Sequence, residues 1–117
     1  MALVIVGTSR CALCDGVLQN DQDVTAFPAF LPPKHRLWRY SDAAFHARCF
    51  TTWTERSAFE ALYQRAQALW NTRPRDLSTT AEMDAWSREA SAQWEQEAMQ
   101  EDAAARAEAA AHAQHLD

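Results

Sequence analysis

Glycine is nearly absent from this chain, at two of 117 residues, and lysine occurs once against ten arginines. So little glycine leaves no Gly-rich loop to cradle a phosphate, and the other short catalytic signatures, H-E-x-x-H and G-x-S-x-G, are missing too. No stretch approaches the roughly 20 apolar residues needed to span a bilayer. The opening MALVIV has no basic n-region and too short an apolar run for a secretory signal. We therefore expect a cytoplasmic, non-enzymatic protein with reduced thiols. The arginine and alanine bias suggests a GC-rich, bacterial source.

Glycine and proline are also missing from Thr79 to the C-terminus. Thr79-Thr80-Ala-Glu82 has the form of a capping box, and one long helix is expected to follow it. A stripe at Met83, Trp86, Ala90, Trp94 and Ala98 should pack inward. After Glu101 almost every apolar residue is alanine, so that part should protrude, fray or await a partner, and Glu95, Glu97 and Glu101 read as a solvated face. His112 and His115 fit the negative end of the helix dipole better than a metal pair.

Net charge is −5, divided unequally: residues 1–75 carry nine basic and six acidic side chains, and residues 76–117 carry two and ten. A module of +3 followed by an extension of −8 implies that the extension engages a basic partner or folds back on the module.

Before the long helix, ALVIVGTS reads as a buried strand, and VLQ with VTAF as the arms of a hairpin. FPAFLPPKHR is irregular because of Pro28, Pro32 and Pro33, and LWRY suits another strand. Ser41 or Asp42 should cap a helix through AAFHARCFTTW, and Ser57-Ala-Phe-Glu60 a second helix, ending near Asn71, with Phe59, Leu62, Tyr63, Ala66, Leu69 and Trp70 inward. Of the five tryptophans, Trp53, Trp70, Trp86 and Trp94 fall on apolar helical stripes. The setting of Trp38 is ambiguous.

All three cysteines lie in two short motifs, Cys11-x2-Cys14 and His46-x2-Cys49. A thioredoxin-like pair explains the first but leaves the second idle, and three unrelated buried thiols explain neither spacing. Three sulfurs and one imidazole make a Cys3His set for one structural Zn2+. Gly16 after the first motif would take the left-handed conformation of a knuckle. On a helix His46 and Cys49 would share a face.

Knuckle, hairpin and ligand-bearing helix resemble the treble-clef class of zinc fingers over about Arg10 to Trp53. FHARCF is similar to the H-x2-C-F segment of the first zinc site of LIM domains. The chain departs from LIM domains in having no cysteine after Cys49 for a second zinc, and a longer insertion between Cys14 and His46. The resemblance implies one zinc bound by Cys11, Cys14, His46 and Cys49.

The expected fold is α+β: a treble-clef zinc module over 1–56, a packing helix and loop over 57–75, and a long acidic Ala-rich helix over 76–117. The expected function is a zinc-stabilised protein-interaction module whose partner has a basic surface, such as a small bacterial adaptor or an inhibitor or immunity-type protein. The alternative is a nucleic-acid-binding zinc finger. It would use Arg10 and the segment Lys34, His35, Arg36, Trp38 and Arg39, where cations interleave with aromatics, with the acidic helix as a regulatory arm. A solvated strand with Trp38 and Tyr40 packed beside the zinc module is the plainer account of that segment.

Overall fold

A computed structural model describes residues 4–20 and 23–115 of the chain. It is a small α+β structure with strands β1 (Val24–Ala26) and β2 (Ala44–His46) and helices α1 (Ala47–Thr52), α2 (Arg56–Trp70) and α3 (Thr80–His115). The strands pair antiparallel, with Val24 opposite His46, Thr25 opposite Phe45 and Ala26 opposite Ala44.

The N-terminal segment forms a knuckle. Expected as a buried strand, its described part is a turn: Gly7 sits at φ 87°, Ile5 and Val6 are exposed, and the amides of Thr8 and Ser9 both donate to the carbonyl of Ile5. Residues 1–3 of that expected strand lie outside the described residues. The expected hairpin of VLQ with VTAF is also replaced. Val17 bridges back to Arg10, and Leu18 donates to Ser9. VTAF pairs instead with Ala44–His46, over a longer loop.

That pairing overrides the expected helix start at Ser41 or Asp42. Residues 44–46 gain ladder hydrogen bonds as β2, so α1 begins only at Ala47. Asp42 takes a left-handed φ of 55°, and the buried Ser41 hydroxyl accepts the amides of Phe30 and Leu31, tying down the proline-containing loop. LWRY is likewise no strand. Successive i to i+3 bonds wind residues 35–41 into tight turns, with Trp38–Tyr40 as a 3-10 helix.

α2 starts one residue before the expected box, at Arg56, which pairs with Glu60 at 3.2 Å, and no side chain caps it. Its inward face is Phe59, Leu62 and Ala66, with Tyr63 and Leu69 half-buried. Trp70, expected inside, is 40% exposed and lies edge-on to Trp86 of α3, ring centroids 5.3 Å apart. α3 opens at the expected start, with Thr79 as its cap: the Thr79 hydroxyl accepts the Glu82 amide at 3.1 Å and donates to the Glu82 carboxylate at 3.0 Å, in place of the backbone bond of a full capping box.

One hydrophobic core joins knuckle, hairpin and helices, running from Cys11 and Leu18 through Phe27, Phe45 and Phe59 to Trp94 and Ala98. Its centre is aromatic: Phe27 meets Phe59 and Tyr63 edge-to-face at centroid distances of 4.9 and 5.1 Å, geometry favoured by the ring quadrupoles. From the expected α3 stripe, Ala90, Trp94 and Ala98 enter the interior, Trp86 is half-buried and Met83 is exposed.

Past Ala98 the helix does not leave the module at once. Arg36 donates from Nη1 and Nη2 to the two Glu101 carboxylate oxygens at 2.7 and 3.0 Å, and its backbone amide donates to Asp102 Oδ1 at 3.0 Å. The other Asp102 oxygen accepts from Arg106 Nε at 2.8 Å. His35 Nδ1 accepts the Leu37 amide, which leaves the proton on Nε2 to donate to Glu101. Glu101, expected on a solvated face, is thus half of a clasp, and the acidic extension folds back on its own module. Exposed alanines dominate only after Asp102.

Candidate metal centre

The four residues of the Cys3His set come from three local devices. Cys11 and Cys14 stand on the knuckle, whose turn is closed by Cys11 N–H to the Gly16 carbonyl at 2.8 Å and Asp15 N–H to the Cys11 carbonyl at 2.9 Å. His46 ends β2 and Cys49 lies in the first turn of α1. His46 was expected on the helix with Cys49; it reaches the same point from the strand.

The left-handed residue of the knuckle is Asp15, at φ 62°, and not Gly16. Aspartate tolerates this region better than most residues because its short polar side chain bonds locally. Gly16 serves close approach instead. A Cβ there would stand 3.3 Å from Cys14 Sγ and 3.5 Å from His46 Cε1.

The three sulfurs and one imidazole nitrogen lie within 4.8 Å of one another, one ligand atom per residue. His46 Nδ1 is 3.3 Å from Cys14 Sγ and 3.8 Å from Cys49 Sγ. Metal–sulfur bonds of about 2.3 Å and metal–nitrogen bonds of about 2.1 Å at tetrahedral angles place ligand atoms roughly 3.6 to 3.8 Å apart. Separations from 3.3 Å up to 4.8 Å bracket those values, so the cluster could hold one metal ion after small side-chain adjustments, and its donor set is consistent with zinc.

The imidazole is oriented for this role. Nε2 lies 3.2 Å from the Val17 carbonyl, which accepts only, so the proton sits on Nε2 and the Nδ1 lone pair faces the sulfurs. Val17 was not anticipated as part of the site. A backbone carbonyl leaves no mark in residue type, so the sequence carried no signal for it.

The three thiols differ. Burial pushes Cys11 up, but hydrogen bonds from the amides of Cys14, His46 and Leu13 outweigh it and bring the thiol down to about 6. Burial raises Cys49 to about 11, reinforced by the neighbouring sulfurs of Cys14 and Cys11. Three thiolates in one place repel one another, and a dication offsets that repulsion.

The other sequence candidates are dispersed. Lys34, Trp38 and Arg39 are exposed, and the Arg39 guanidinium lies 5.1 Å over the Tyr40 ring. His35 is 3% exposed, and both it and Arg36 are engaged by α3. Arg10 donates to the Asp15 carbonyl. His112 is exposed, and the side chain of His115 lies outside the described ones. Among the described residues no helix is long and apolar enough to cross a membrane.

Fold and site together define a small α+β chain with a three-cysteine, one-histidine cluster that could hold a single metal ion. No protein-family model, curated protein or solved structure matches the chain.

Proposed function

We propose that this chain is a zinc-stabilised, non-enzymatic interaction module that binds a protein with a basic surface. The order of knuckle, hairpin and helix supports a single-zinc treble clef resembling the first zinc site of LIM domains. With all four positions taken by protein ligands, zinc would hold the knuckle against the hairpin and would have no open position for substrate water. The carrying observation is the outer surface of α3, where Glu82, Asp84, Glu89, Glu95 and Glu108 are exposed and only Arg88 and Arg106 oppose them. An exposed acidic helix steers and fits a basic patch.

The basic segment supports nucleic-acid binding less well, because two of its five residues, His35 and Arg36, face Glu101 and Asp102. Elemental analysis should find about one zinc per chain. Affinity purification should capture a partner whose binding weakens with salt and is lost when Glu82, Glu89 and Glu95 become glutamine, while neutralising Lys34 and Arg39 leaves it intact. Binding of an oligonucleotide at low salt that disappears with Lys34 and Arg39 would reverse the assignment.

A further inference from the structure

We propose that Cys14 is a modification site, the sulfur that is oxidised by a hydroperoxide and so opens the metal centre. This inference rests on the reading of the four residues as metal ligands and adds how that centre is regulated. The ligands are unequally covered. Cys11 is 2% exposed, His46 and Cys49 are half-buried, and Cys14 is exposed. Beside the centre lies an open cleft of about 550 Å³, bordered by Cys14 and His46 together with Gly16, Val17, Asp23 and Arg48. Of the three sulfurs, Cys14 is the one that lines that cleft.

Hydrogen bonding separates Cys14 from Cys11 in the same sense. The Cys11 sulfur accepts the amides of Leu13 and His46 at 3.4 and 3.3 Å, and Cys14 accepts the Gly16 amide at 3.3 Å. Each such bond draws on the lone pairs that a nucleophile needs. Among the described residues no amide donates to Cys49, so basicity alone would favour Cys49, whereas access favours Cys14. Oxidation of cysteine follows thiolate character and exposure together. A metal keeps all its sulfur ligands as thiolates at neutral pH, which equalises the first factor and leaves access to decide.

In the reaction the Cys14 thiolate attacks one oxygen of hydrogen peroxide, the S–O bond forms as the O–O bond breaks, and hydroxide leaves. Sulfur is oxidised by two electrons and peroxide is reduced by two, giving a sulfenic acid and hydroxide. A sulfenic acid is a poorer ligand than a thiolate, so the ion is left with three ligands and departs.

The test uses the full chain with its metal content measured first. Limiting hydrogen peroxide is added with dimedone to trap sulfenic acid, adducts are located by peptide mass spectrometry, and free metal is followed with a chelating dye. The expected result is an adduct at Cys14 before either other cysteine, with metal lost mole for mole. A metal-loaded chain whose first adduct falls on Cys49 or Cys11, or which keeps its metal after Cys14 is modified, overturns the inference and leaves the metal reading standing. A chain that purifies without metal removes both.

Discussion

Asp15 and Gly16 are neighbours with exchanged duties. Asp15 holds the left-handed backbone that turns the knuckle, and Gly16 keeps a methyl group away from Cys14 Sγ and the His46 ring. The two positions therefore respond differently to the same change. Asp15→Ala should cost on the order of 1 kcal/mol, because alanine is less tolerant of the left-handed region than aspartate, whereas Asp15→Gly should be tolerated. Thermal unfolding of both variants checks this. Gly16→Ala requires no forbidden backbone angle, so it should fold, but its methyl would stand 3.3 Å from Cys14 Sγ, closer than ordinary contact. A chelator should strip metal from it faster than from the parent chain, and equal rates would remove the close-approach account.

At the scale of elements, the clasp between the 35–36 turn and α3 is the feature with the clearest energetic signature. The Asp102 side chain is 3% exposed, and its carboxylate is held by the Arg36 backbone amide and by Arg106, partners that remain when the Arg36 side chain is removed. Arg36→Ala removes both side-chain donors of the partly exposed Glu101 while Asp102 keeps its other bonds, so it should cost about 1 kcal/mol. Acid should act on the same contacts. The Arg36 hydrogen bonds hold the Glu101 carboxyl below its ordinary value of 4.5; Asp102, though burial opposes it, is held below 3.8 by the Arg36 amide and Arg106. Depressed carboxylates stabilise the fold fully above those ordinary values, and this contribution fades as pH falls through the lower folded ones. Unfolding midpoints of the parent chain should drop steeply below about pH 4, and less so for Arg36→Ala, which lacks the main cause of the Glu101 shift.

Element boundaries also mark what the sequence carried. The helix cap at Thr79, the end of α2 at Asn71 and the two short motifs of the cysteine–histidine cluster were legible because each depends on neighbours within a few positions. β2 was not, since Ala44–His46 has a helix-like context and becomes a strand only by pairing with Val24–Ala26, eighteen or more residues earlier. The LWRY turns hid for a related reason. Apolar and polar residues alternate there, but the direction of the chain is set by the prolines before it and by Arg36 being drawn to α3. The clasp was foreshadowed only as a charge imbalance, with no sign of which acids meet which bases.

For the molecule as a whole, the question is how far α3 belongs to the folded unit. The helix has 36 residues, roughly 54 Å at the α-helical rise. The radius of gyration is 16.9 Å against about 13 Å for a compact chain of this length, so part of the helix projects. Burial locates the division: Ala98 and Asp102 are covered, while residues 107–113 are exposed. Ending the chain after Arg106 should therefore leave stability within about 0.5 kcal/mol, as expected for surface changes. Ending it after Ala98 also removes Glu101 and Asp102, strands Arg36 and His35, and should lower the midpoint by far more. Chelation should act on the whole unit, since Cys11 shares a core with Phe45, Phe59 and Trp94. Removing metal should then shift Trp94 fluorescence toward that of an exposed indole while the knuckle is lost. A chelated chain that keeps its tryptophan emission would mean that the aromatic core stands without the metal, and that the centre orders the knuckle alone.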